Sequence, residues 1–255
     1  MVEHTRAHRR LEGTPPGRRE KLSIGTLFIP VRLAGHRNKR KMALFVHFHG
    51  GALVPELAAA RNRMAVISVQ TGSGSGVYAR QFADPALFGA LLAEASVKGG
   101  VTFTSITLTA WSAGHGAIRE ILAVPDYYAR VGRVILIDGL HTGYTDGKPG
   151  PLESKLDPDH LEIILRFAQD AAAGRKTMLI THSEIFPGTF ASTTETADWL
   201  LARLALKRRP VTRFGPQGTQ LLSEVKQGRF RLLGFAGNTA PDHVDQLHSL
   251  PVYLR

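Results

Sequence analysis

Ser112 is the residue of this sequence that is best placed to act as a nucleophile. It lies in the segment Thr109-Ala110-Trp111-Ser112-Ala113-Gly114, between a run of β-forming residues and a run with helical spacing. A serine on a tight turn from strand to helix needs small residues two positions before it and two positions after it. Ala110 and Gly114 meet that need, and the following helix would direct its N–H groups at an oxyanion. The segment therefore predicts acyl transfer through a serine.

A second signal is the glycine-rich sequence His47-Phe48-His49-Gly50-Gly51-Ala52, which ends a nearly continuous apolar run that starts at Met42. Glycine at the end of a strand lets the backbone approach a substrate closely. Backbone N–H groups in such a loop can hold the negative oxygen of a tetrahedral intermediate. Taken alone, the glycine sequence is consistent with a simple strand-ending turn or with an oxyanion loop. Its position about 60 residues before Ser112 favours the oxyanion loop.

The two segments together resemble the α/β-hydrolase family, with A-W-S-A-G in place of the usual G-x-S-x-G elbow and with the H-G-G motif of esterases and lipases. The resemblance implies a three-layer α/β fold in which a mostly parallel sheet has helices on both faces. It also implies a serine hydrolase, a carboxylesterase above all, that needs no metal and no cofactor. By the same resemblance, the oxyanion is held by Ala113 together with the glycine loop (Gly50, Gly51 and Ala52). The position of Trp111 beside the nucleophile fits either a wall of the acyl pocket or a side chain packed under the turn.

The base and the acid each have two candidates. The family order is serine, acid, histidine, so the base must follow the last predicted strand, Phe230–Phe235. His243 lies in or next to the loop after that strand and is preferred to His248. The acid must follow a strand between the nucleophile and the base. Asp138 directly follows the apolar sequence VILI and is preferred, whereas Glu184 follows the next strand, which is the more usual place in the family.

Two other functions compete with this prediction. His47 and His49 are two residues apart, as on one face of a strand, and could hold a metal together with Asp138, His141, Asp242 and His243 in a metal-dependent hydrolase. The strand-helix units are too few for the eight-fold barrel that such enzymes often use. A binding protein that keeps the fold without the chemistry is the other alternative. An amidase or peptidase with the same serine chemistry also fits the sequence.

The spacing of apolar residues predicts the elements that would position these side chains. Buried strands are expected at six places, and helices between them indicate a mostly parallel sheet. The expected strands cover residues 42–49, 64–70, 106–111, 134–137, 177–181 and 230–235, and the expected helices cover 85–97, 114–122, 157–173, 193–206 and 243–250. Asp157 is the predicted N-cap of the third helix. We expect a flexible basic segment over residues 1–20 and a single domain over residues 21–255.

Composition restricts the remaining possibilities. The chain of 255 residues has no cysteine, which excludes disulfides, thiolate metal sites and cysteine nucleophiles. Its net charge is +11, but residues 1–41 hold eleven Lys or Arg against three Glu, so the basic character is mostly local. We therefore expect a small-molecule or polymer-linked acyl substrate and no nucleic-acid partner. The sequence predicts no membrane span, and it predicts a cytoplasmic protein, or a secreted one whose leader is absent from this chain.

Overall fold

The computed structural model describes residues 7–31, 41–147 and 155–255. The chain divides into two compact units. Of the described residues, we call 11–31, 41–135 and 250–255 the N-terminal unit, and 7–10, 136–147 and 155–249 the C-terminal unit. The single domain predicted over residues 21–255 stays a prediction.

The described residues form strands and helices in regular alternation through the middle of the chain. The strands are β1 (Gly17–Lys21), β2 (Thr26–Pro30), β3 (Lys41–Phe48), β4 (Ala65–Val69), β5 (Thr102–Trp111), β6 (Val131–Ile137), β7 (Thr177–His182), β8 (Arg209–Phe214), β9 (Gln220–Gln227) and β10 (Phe230–Phe235). The helices are α1 (Leu53–Asn62), α2 (Ser75–Phe82), α3 (Leu87–Gly99), α4 (His115–Ala123), α5 (Pro125–Arg130), α6 (Glu162–Ala172), α7 (Thr193–Arg203), α8 (Ala240–His248) and α9 (Leu250–Tyr253).

In the N-terminal unit the strands follow the order β1-β2-β4-β3-β5. β3 runs parallel to β4 and β5, whereas β1 and β2 form an antiparallel extension. Every residue of β4 is buried. Full burial of the apolar sequence AVISV is expected of a strand that is covered on both faces.

In the C-terminal unit the order is β7-β10-β9-β8, with β7 and β10 parallel and the last two strands antiparallel. The helix α6 buries one apolar face that includes Phe167 and Ala168. The mostly parallel sheet with helices packed around it confirms the predicted α/β fold class. No helix among the described residues has the length and apolarity that crossing a bilayer requires.

The start of α6 differs from its prediction. Asp157 is not the N-cap, because its Oδ1 accepts the N–H of Asp159 at 3.0 Å and closes a separate turn. The carbonyl of Pro158 then accepts the N–H of Leu161 at 2.7 Å. The helix therefore begins only at Glu162.

The segment predicted to be flexible contains most of β1. Arg19 donates from Nη2 to Glu56 at 2.5 Å, and its guanidinium lies 4.7 Å from the ring centroid of Phe28. Arg18 donates to the carbonyl of Gly99. Arg18 and Arg19 thus have partners, and residues 1–6 of the predicted segment lie outside the described residues.

Candidate active site

Ser112 stands at the sharp bend between β5 and α4. The strand ends at Trp111, Ser112–Gly114 form one 3-10 turn, and α4 begins at His115. The φ angle of Ser112 is +49°, in the left-handed region that non-glycine residues seldom adopt. Such strain is concentrated at functional sites, where the surrounding structure enforces it.

The neighbours of Ser112 explain why small residues are needed there. Ala110 is fully buried. A Cβ atom added to Gly114 would lie 2.2 Å from the carbonyl oxygen of Phe48, so only glycine fits. His115 holds the bend from the other side, because its Nδ1 lies 3.1 Å from the carbonyl oxygen of Ser112 and must donate to it.

The glycine loop after β3 is held by one side chain that the sequence analysis missed. His49, Gly50 and Gly51 have φ angles of +74°, +97° and +76°. The Oε1 atom of Gln70 accepts the N–H of Gly50 at 2.8 Å and that of Gly51 at 3.2 Å. Two of the predicted oxyanion donors, the N–H groups of Gly50 and Gly51, therefore already donate to Gln70, which directly follows β4.

Aromatic rings line the N-terminal unit next to the bend. The ring of His49 stacks on Trp111 at a centroid distance of 5.2 Å, and its Nδ1 lies 3.0 Å from the hydroxyl of Tyr78. Burial raises the pKa of Tyr78, so its hydroxyl stays neutral and donates to the carbonyl of Gly72 at 3.2 Å. These contacts fix the glycine-rich segment 71–76, whose end starts α2.

Asp138 lies directly after β6 in the C-terminal unit. It is 1% exposed and has a φ angle of +42°. Its N–H donates to the carbonyl of Thr181 at 3.0 Å, which ties it to β7. Its carboxylate accepts hydrogen bonds from three other residues, Ser183, Thr193 and His243.

The electrostatics of Asp138 favour the ionised form. Burial by itself would raise the pKa of this carboxyl group. The hydrogen bond and charge of His243, together with the hydroxyl and N–H of Ser183, outweigh burial and lower the pKa below its ordinary value. Asp138 is therefore a carboxylate at neutral pH.

His243 contacts that carboxylate from α8. Its Nδ1 lies 2.7 Å from Oδ2 of Asp138, and its side chain is 21% exposed. The helix begins with a capping box between Thr239 and Asp242, which fixes the turn that carries His243. Because an ionised carboxylate can only accept, Nδ1 must donate to it, and Nε2 is the basic nitrogen of the neutral tautomer.

The alternative acid and base lie elsewhere in the C-terminal unit. Glu184 is exposed, and its Oε2 accepts the N–H of Gly237 at 3.2 Å. His248 is 8% exposed, and burial together with the charge of Arg10 lowers its pKa. Of the two candidate acids and the two candidate bases, the pair in hydrogen-bond contact is Asp138 with His243.

The geometry does not favour the metal alternative. His47 is completely buried, its Nδ1 lies 2.7 Å from Oγ1 of Thr109, and burial lowers its pKa to about 3. Within the described residues, the one group of three side chains with metal-ligand spacing is His8, Asp242 and Asp245. Neither His47 nor His49 belongs to it, and Asp245 is already bound by Arg10.

Comparisons with known proteins identify the fold. The sequence matches no family model and no curated protein. The structure is similar to a puromycin-hydrolyzing peptidase of Mycobacterium tuberculosis, at 17% identity over 94% of this chain with a TM-score of 0.51. This chain spans only 39% of that peptidase.

Two esterase structures are similar over most of both chains. An ester hydrolase from the metagenome of Lake Arreo is 12% identical, with 94% of this chain and 82% of that one covered and a TM-score of 0.51. A truncated carbohydrate esterase from gut microbiota is 11% identical, with 90% and 88% covered and a TM-score of 0.50. The chain therefore has the fold of the α/β-hydrolase superfamily.

Proposed function

We propose that this chain is a serine hydrolase that cleaves carboxylic esters through an acyl-enzyme intermediate. Ser112 is the nucleophile, His243 the general base and Asp138 the acid that orients it. The observation that carries the proposal is the 2.7 Å hydrogen bond between a buried, ionised Asp138 and Nδ1 of His243. Such a pair has the chemistry of an oriented base, and the strained backbone of Ser112 supports that residue as its partner.

The proposed reaction has two halves. In the first, Nε2 of His243 takes the proton of the Ser112 hydroxyl while Oγ bonds to the carbonyl carbon of the ester. The tetrahedral intermediate collapses, the alcohol leaves with the proton from His243, and the acyl group stays on Oγ. In the second half, His243 takes a proton from a water molecule whose oxygen bonds to the acyl carbon. The bond from that carbon to Oγ then breaks, the acid leaves, and His243 returns the proton to Ser112. Asp138 remains ionised throughout.

The oxyanion donors follow from the contacts of the glycine loop. The N–H groups of Gly50 and Gly51 donate to Gln70. We therefore assign the oxyanion to the N–H groups of Ala52 and Ala113, with Gln70 holding the loop that carries Ala52. The stacked rings of His49 and Trp111 would form a flat wall beside the acyl group.

Ester cleavage is the first choice of reaction. Two structures with the same fold are an ester hydrolase and a carbohydrate esterase, so a small-molecule or polymer-linked ester is the proposed substrate class. Amide cleavage is the second choice, because a third structure with this fold is a peptidase. Matched ester and amide substrates with one common acyl group distinguish the two by their kcat/KM values.

Labelling with a fluorophosphonate tests the proposal. The reagent phosphonylates an activated serine, and peptide mapping then identifies the labelled residue. We expect the label on Ser112, no label in Ser112→Ala, and normal labelling in Ser73→Ala, which removes an exposed serine of the glycine-rich segment 71–76. Absence of both labelling and ester turnover in the native chain would contradict the proposal and leave a binding protein with this fold.

A further inference from the structure

The carboxylate of Asp138 has an unusually complete set of hydrogen-bond donors. Oδ1 accepts the N–H of Ser183 at 2.8 Å and the hydroxyl of Thr193 at 2.9 Å. Oδ2 accepts the hydroxyl of Ser183 at 2.7 Å and the Nδ1–H of His243 at 2.7 Å. Each oxygen thus has two donors, which fills the accepting capacity of a carboxylate.

These donors come from three separate elements. Ser183 directly follows β7, Thr193 is the first residue of α7, and His243 lies in α8. Thr193 is held at its place by the capping box between Ser192 and Glu195. Both Ser183 and Thr193 are almost fully buried, so water cannot replace their hydroxyl groups at low cost.

We propose that Ser183 and Thr193 are positioning residues that hold Asp138 in one orientation and set the basicity of His243. The inference rests on the proposed function, in which His243 is the base. Two hydroxyl donors draw negative charge away from the hydrogen bond between Asp138 and His243. They also prevent the carboxylate from rotating, which keeps Oδ2 directed at Nδ1.

The charge balance predicts the effect of removing either hydroxyl. Without it, more negative charge remains on the oxygens of Asp138, and the protonated form of His243 is stabilised. In a plot of kcat/KM against pH, the acid limb is the fall in activity at low pH that occurs as the base becomes protonated. We expect this limb to move to higher pH when a hydroxyl is removed. The effect is largest for Ser183, because its hydroxyl shares Oδ2 with His243.

Other titratable groups near this carboxylate do not account for such a shift. His141, in the loop after β6, and His182, at the end of β7, both feel the charge of Asp138. Burial lowers the pKa of both, that of His182 to about 4 with the charge of Arg208 contributing. Burial therefore disfavours the protonated form of both rings.

The test compares four variants in pH profiles of ester hydrolysis. Ser183→Ala and Thr193→Val each remove one hydroxyl, Thr193→Ser keeps it, and Thr196→Val removes a buried hydroxyl of α7 that donates to the carbonyl of Leu140 instead. We expect the acid limb to rise by about one pH unit in Ser183→Ala and by less in Thr193→Val. Thr193→Ser and Thr196→Val keep the native profile. A profile unchanged in both hydroxyl-removing variants overturns the inference.

A titration of the ring protons of His243 by NMR separates this inference from the proposed function. The titration needs no substrate, and we expect its midpoint in each variant to move by as much as the acid limb of that variant moves. A shifted midpoint in a chain without ester turnover supports the role of the two hydroxyls and contradicts the hydrolase proposal. Normal turnover with unshifted midpoints leaves the hydrolase proposal in place and overturns the inference.

Discussion

Replacing Asp138 by asparagine separates the charge of this residue from its shape. The carboxylate accepts four hydrogen bonds, so the new amide cannot satisfy all of them. The backbone N–H of Ser183 has a fixed direction and needs an acceptor, so the oxygen of the new amide must occupy the position of Oδ1. The amide NH₂ group then takes the position of Oδ2 and faces His243.

The consequence is a reversed imidazole. Nδ1 of His243 must accept from the new NH₂ group, so the proton moves to Nε2, which can no longer take a proton from Ser112. In a serine protease the same change of tautomer lowers kcat about 10⁴-fold. We expect Asp138→Asn to lower kcat by about 10³ to 10⁴, with KM changed by less than about threefold.

The assay is steady-state hydrolysis of p-nitrophenyl acetate at neutral pH, with circular dichroism to confirm that each variant is folded. Glu184→Gln is the matched control, because it makes the same carboxylate-to-amide change at the alternative acid. Within the described residues, the hydrogen bond that the Glu184 carboxylate accepts comes from the N–H of Gly237, so kcat of this variant should fall by less than about threefold. A decrease in kcat of less than tenfold in Asp138→Asn would refute the assignment of the acid. So would a decrease in kcat that is larger in Glu184→Gln than in Asp138→Asn.

Three further predictions concern the loop, the N-terminal segment and pH. Gln70→Ala removes the acceptor of two loop N–H groups and should lower kcat about tenfold; a kcat equal to that of the native chain would contradict this. Arg10→Ala removes one ion-pair partner of the fully buried Asp245, so the free energy of unfolding in urea should fall by about 3 kcal/mol, and Asp245→Asn in the same chain should restore part of it. Burial lowers the pKa of His47 from its ordinary value of 6.5 to about 3, so below pH 6.5 the unfolded chain binds a proton that the folded chain does not, and the free energy of unfolding should fall as pH decreases toward 3. If the free energy of unfolding of His47→Gln falls with pH as steeply as that of the native chain, His47 is excluded as the cause.

The buried centre of the fold follows from the sequence, and its edges do not. β4 and β10 are short, mostly apolar runs, and this composition predicts buried strands without any tertiary information. β8 has the sequence RPVTRF and is mostly exposed, so its residues carry no apolar signal. Its pairing with β9 supplies the strand geometry instead.

Among the helices that the sequence did not predict, α1 and α2 were missed because of glycine and proline residues near their starts. α1 follows the glycine loop directly and has Pro55 in its first turn. α2 starts inside the segment 71–76, whose glycines favour a loop at the level of single residues. Packing decides here, because an added Cβ atom at Gly116 of α4 would lie 2.2 Å from the carbonyl of Ser75.

The site shows the same division between local and tertiary information. Asp138 and His243 were preferred to Glu184 and His248 from their places after strands, but the hydrogen bond that joins them spans 105 residues of chain and cannot be read from local sequence. Ser183, Thr193 and Gln70 were not predicted. A hydroxyl at a helix start or an amide after a strand normally indicates capping or turn formation, and nothing in the sequence indicates that these side chains bind Asp138 or the glycine loop.

Mass spectrometry of the acid-quenched reaction with p-nitrophenyl acetate examines the central claim most directly. If Ser112 carries the acyl group between the two halves of the reaction, the quenched chain contains one acetyl group, on the peptide that includes Ser112, and Ser112→Ala contains none and has no turnover. Continued turnover in Ser112→Ala, or an acetyl group on a different residue of a fully active chain, would contradict the claim.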